Sequence, residues 1–158
     1  MALTTMHIAR RFMAAFAKNA VIKDWAQTNY GKPFSMFINA DPRRKPTEQA
    51  APYIIIFTDG YESGSQSLRR AHALGVMVGV KDDKIVPNPE GGPWLELRGL
   101  LRLSDELVPE LETIMRSAVS GAKLQELSVE FADINFPLLQ AIMNVTVEES
   151  LPVGGRNS

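Results

Sequence analysis

The chain has 158 residues, 45% hydrophobic and 22% charged, enough for one domain with one sizeable core. Seventeen basic and eighteen acidic side chains leave a formal net charge of −1, which provides no broad basic face for nucleic acid. Cys is absent, which excludes a disulfide framework, a thiolate metal site and a cysteine nucleophile.

Residues 4–18 have an apolar stripe at Ile8, Phe12 and Phe16, with Met13 beside it, and predict a helix. Thr4 or Thr5 is its cap, and Arg10, Arg11 and Lys18 mark its wet side. A second short helix follows in "NAVIKDWAQTNYGK", with Val21, Ile22 and Trp25 inward and Gly31 as its stop. In "KPFSMFINADP", Phe34, Met36 and Ile38 share one face of a short strand. A long loop with three prolines and the basic triplet Arg43, Arg44 and Lys45 comes next.

"PYIIIFTDGYES" is the strongest strand signal. Its run from Tyr53 to Phe57 is all β-branched or aromatic, as a strand covered on both faces requires, and Asp59–Gly60 is read as its end. "SLRRAHALGVMVGVKDD" resembles a helix at its start, but its alternation predicts a strand over 67–81. Leu68, Leu74, Val76, Val78 and Val80 form one face. Ala71, Ala73, Gly75, Met77 and Gly79 form the other, small enough for a helix to pack closely. Arg70 and His72 share the larger face and are expected near an edge or end of the sheet.

A Pro- and Gly-rich loop follows, with a short strand at Lys84–Val86, and "WLELRGLLRL" reads as extended or irregular. "SDELVPELETIMRSAVSG" is a helix over about 105–119, capped by Ser104 or opening at Pro109, with Leu107, Leu111, Ile114 and Met115 as its stripe. The last elements are strands at about 124–132 and 138–148, joined through "ADINFP". The expected fold is α+β, a mostly antiparallel sheet with two main helices packed on one face. It occupies a single domain at 1–150, and residues 151–158 are expected to form a flexible C-terminal tail. No stretch reaches the roughly 18–20 apolar residues of a membrane span, and the N-terminus lacks a signal-peptide pattern, so a soluble intracellular protein is expected.

Residues with chemistry are sparse. His7 and His72 lie in different elements and form no metal-ligand pattern. Asp82 and Asp83, beside Lys84, read as a solvated turn. Neither Asp59–Gly60 nor Gly91–Gly92 belongs to a phosphate loop, and "YESGSQS" is not a nucleophile elbow. Trp94 is a loop or interface anchor, or a buried one. No cofactor or metal is implied, and the reading is against an enzyme. An active site assembled from His72, Arg70 and Asp59 stays as a rival, as does a small-ligand or peptide-binding module.

The order of elements resembles the tail terminator, or tail-completion, proteins of long-tailed bacteriophages. The matching residues are Pro52–Phe57, Arg70–Val80, Phe136–Leu138, Ala141 and Val145–Val147, spread over about residues 5–149. The resemblance implies a ring homo-oligomer, a hexamer in that family, that caps the tail tube and helps join tail to head. Its partners would be itself, the tail-tube protein and a head-completion or neck protein, with no membrane and no sequence-specific nucleic acid. It would work in the cytoplasm of a bacterial host and then in the virion tail, from a phage or prophage. For the interface the sequence nominates Arg43, Arg44 and Lys45 on the loop, and Leu138 and Ile142 on the second face of the closing hairpin.

Overall fold

The computed structural model describes residues 3–39, 49–63 and 69–150, those at 133–135 by backbone alone. The expected basic loop triplet and the expected C-terminal tail lie outside the described residues.

The fold is α+β. Helices α1 (Thr5–Lys18) and α2 (Ala20–Tyr30) lead into strands β1 (Ser35–Ile38), β2 (Tyr53–Ser63) and β3 (Arg69–Lys81). A small hairpin of β4 (Ile85–Pro87) and β5 (Leu95–Leu97) precedes helix α3 (Arg98–Arg102), a π turn (Leu103–Leu107) and helix α4 (Val108–Ala118). Strands β6 (Ala122–Asn135) and β7 (Leu138–Ser150) close the chain. The main sheet runs β1-β2-β3-β7-β6, and only the β1–β2 pair is parallel.

The core lies between the helices and one face of this sheet. Ile8, Phe12 and Phe16 of α1 and Leu111, Ile114 and Met115 of α4 meet Ile54, Ile56, Val76, Val78 and the odd-numbered residues of β7 from Leu139 to Val147. These are the side chains the helical and strand periods bring to one side. The opposite face carries no helix among the described residues. There Ala51, Tyr53, Ile55 and Leu138 form a second, smaller cluster, with Phe57 and Met77 packed against it. Tyr53, Ile54, Ile55 and Ile56 are all fully buried, so β2 is covered on both faces, as its uninterrupted apolar run requires.

Several local expectations are corrected. β2 does not end at Asp59–Gly60 but passes through it to Ser63, with a bulge between Thr58 and Gly60 and a positive φ at Gly60. The small face of β3 receives no helix. The Tyr53 ring of the neighbouring strand fills the space over Gly79, where an added Cβ would lie 2.1 Å from it. Val21 does not point inward but is 59% exposed, while Ile22 is buried and Trp25 half-buried. The last helical region starts at Arg98 rather than Ser104, because the π turn carries it through a stretch with no side-chain cap. "ADINFP" is mostly strand, leaving Phe136–Pro137 as the turn. Thr4 caps α1 by accepting from the His7 N–H, and Gly31 ends α2 in the left-handed region, both as expected.

Candidate functional site

Two buried polar clusters sit at the two ends of β3, each fastening helical segments to the sheet. At the far end Asp82 is buried and is not the solvated turn its sequence context implies. Its carboxylate accepts from Arg98 Nε at 3.0 and 3.2 Å, from the Tyr30 hydroxyl at 2.9 Å and from the Lys84 N–H at 3.1 Å. Arg102 Nη1 adds an ion pair at 3.6 Å, and its guanidinium lies over the Tyr30 ring. Burial alone would push the Asp82 carboxyl up. The bonds from Arg98, Lys84 and Tyr30 outweigh it and hold the group below the usual carboxylate range. Burial, with the Asp82 charge beside it, pushes the Tyr30 hydroxyl up to about 12 despite Arg102, so it stays a donor at neutral pH.

At the near end His72 is fully buried, on a central strand but close to that strand's end. Thr5 Oγ1 lies 2.9 Å from its Nδ1, and Glu149 Oε1 lies 3.2 Å from its Nε2. Glu149 Oε2 also accepts the Leu3 N–H at 2.6 Å. Both ring nitrogens are therefore engaged, one by Thr5 and the other by Glu149. The order Thr–His–Glu is that of a nucleophile, base and acid. Thr5 is only 8% exposed and Glu149 4%, however, so the hydroxyl is not offered to a substrate and the chain of bonds acts as a latch on α1. Arg70 turns its guanidinium over the Tyr61 ring, 4.6 Å from its centre. Asp59 lies across the sheet from His72, in clefts shared with Ala73 and Thr146. The structure therefore does not assemble His72, Arg70 and Asp59 into one site.

The described residues hold no group of three or more His, Asp or Glu side chains fit to bind a metal ion. Among them, no helix is long and apolar enough to cross a membrane. What the surface offers instead is apolar. Phe37, Ile85, Trp94, Leu95, Phe131 and Phe136 are all exposed. Trp94 is 51% exposed, its indole N–H donating to Glu96 and its ring lying against Gly92. Of the two hairpin residues nominated for an interface, Leu138 is 8% exposed and packs with Ala51, Tyr53 and Ile55. Ile142 is half-buried, opposite Met77 on β3 and Glu130 on β6.

Sequence reading missed a cleft of about 490 Å³ between the β4–β5 hairpin, α3 and β6. Leu97, Leu100, Leu101 and Phe131 contribute its apolar lining. Its only sequence signal was the apolar surplus in "WLELRGLLRL" beyond what α3 needs for the core. Compared with known proteins, the chain matches no family model and no curated protein.

Proposed function

We propose that this chain is a ring-forming structural subunit of a phage-type tail, a terminator that caps the tail tube and presents a surface to the head. The observation that carries this reading is the unequal pair of sheet edges. One edge is β1, four residues long, and the other is β6, with fourteen. The outer backbone edge of β6 is a template for another strand. Bulges between Leu124 and Glu126 and between Asp133 and Asn135 leave residues 126–133 as its longest regular stretch, which restricts what can add there. Phe131, 43% exposed, lies within that stretch on the helix-bearing face, and Ile142 and Met77 lie on the opposite face. Two unlike edges favour head-to-tail contacts, and such contacts repeated around an axis close a ring. The order of elements, helices then strands then helix then hairpin, agrees with the resemblance to tail terminators.

Sedimentation of the purified chain, alone and with tail-tube protein, tests the reading. The expected result is one discrete larger species, and Ile142→Lys is expected to give a folded chain that does not assemble. A wild type that remains monomeric at high concentration in both mixtures rules the ring out. An unfolded Ile142→Lys variant would instead assign Ile142 to the monomer core.

A further inference from the structure

The two sides of the molecule also differ in charge. The cleft beside β6 is rimmed by Glu90, Glu96 and Asp105 around its apolar lining, and among the described residues no Lys or Arg lines it. On the β1 side, α1 packs against β1 and β2 and carries Arg10, Arg11 and Lys18 with no acid. Where α1 turns into α2, Lys18 and Lys23 are exposed on either side of the outward-facing Val21, with Asp24 the one acid of α2. One patch is apolar with an acidic rim, and the other is apolar with basic flanks.

We infer that the cleft of one copy receives the α1–α2 corner of the next, an assignment that rests on the ring reading above. Val21 would seat against Phe131 and Leu101, with Lys18 and Lys23 facing Glu90 and Asp105. A second copy is the occupant because both complementary patches belong to this chain. They are two different patches of the same chain, so joining them is a head-to-tail contact. A two-fold contact through the cleft would set acid against acid, an arrangement that disfavours association. The contact is continuous with the β6 edge, since Phe131 belongs to both. The charged rim would set the register of the contact, and burial of Val21 with Phe131 would supply most of its apolar area.

Charge exchange tests the assignment, read by sedimentation across a concentration series. Lys18→Glu with Lys23→Glu places acid against acid and is expected to raise the concentration for half-assembly by about tenfold or more. Glu90→Lys with Asp105→Lys should do the same, and both leave the Trp94–Glu96 bond intact. The chain carrying all four changes should regain assembly near the wild-type concentration. Val21→Asp, at an exposed position, should keep its unfolding midpoint and lose assembly. If the wild type assembles and these variants assemble equally well, the corner contact is overturned while the ring stands. If both charge pairs weaken assembly but the fourfold exchange does not recover it, the pairing of these two patches is overturned. If the wild type never assembles, the ring fails and this contact fails with it.

Discussion

The two ends of β3 solve the same problem with different chemistry. Each must hold a polar group out of water while tying helices to the sheet. At the Asp82 end the group is a charge, and four neighbours gather on it: Tyr30 from α2, Arg98 and Arg102 from α3, and the Lys84 N–H. At the His72 end the ring meets only Thr5 and Glu149, each at one nitrogen. The difference teaches that the partners gathered on one carboxylate decide how much chain it ties down: Asp82 fastens α2 and α3, whereas Glu149 reaches only the start of α1, through His72 and the Leu3 N–H.

The sharpest way to break this comparison is Asp82→Ala. It strands Arg98 and Arg102 and leaves the Tyr30 hydroxyl without its acceptor. Because both arginines keep partial contact with water, at 31% and 19% side-chain exposure, the expected loss is about 2–4 kcal/mol, measured by urea denaturation at neutral pH. The loss should depend on pH with a definite sign. The folded-state pKa of Asp82 is lowered, so its stabilisation is complete above the unfolded carboxylate value of about 4 and disappears as pH falls through the lower folded value. Wild type and Asp82→Ala should therefore converge in acid. A gap that stays constant from neutral to strongly acidic pH would mean that the Asp82 charge plays no part.

His72→Phe comes next. It keeps most of the volume but leaves Thr5 and Glu149 without the ring's nitrogens, and the expected loss is about 1–3 kcal/mol by the same measurement. If it equals or exceeds the loss at Asp82, the distinction between a latch with many partners and one with few collapses. Tyr30→Phe should have the smallest effect, about 0.5–1.5 kcal/mol, because Asp82 retains Arg98 and the Lys84 N–H. A larger loss would make Tyr30 the principal partner of the carboxylate in place of Arg98.

The architecture was legible where one physical rule governed a whole segment. The alternation from Leu74 to Val80 identified a strand although "SLRRAHAL" reads locally as helix, and the stripe from Leu107 to Met115 placed the last helix. The errors fall where distant residues decide. Asp82 reads as a turn residue because Arg98 and Tyr30, its partners, are remote in sequence. Asp59–Gly60 has the composition of a strand end, yet pairing with β3 continues past it because a bulge absorbs the irregularity. Val21 looked like core, but α2 turns it outward. The cleft at Phe131 is walled by the continuous stretch 89–105, but its closing side chain comes from β6, which that stretch does not contain.

The π turn between α3 and α4 has a bearing on how this chain can change length. An α-helix advances about 100° per residue, and a π turn takes up an extra residue within an otherwise continuous spiral. Upstream of it, Arg98 and Arg102 are aimed at Asp82. Downstream, Leu111, Ile114 and Met115 are aimed at the core. Removing one residue from Leu103–Leu107 would let the spiral close regularly, and because the wide turn is what absorbs that residue, the two halves would keep nearly the same phase. A one-residue deletion within the regular turns of α4 has no such slack and would swing the stripe below it by about 100°. The wide turn is a link of slack between two gears already meshed, so a one-residue deletion at its exposed part, such as Ser104, is expected to cost far less stability than a one-residue deletion inside α4.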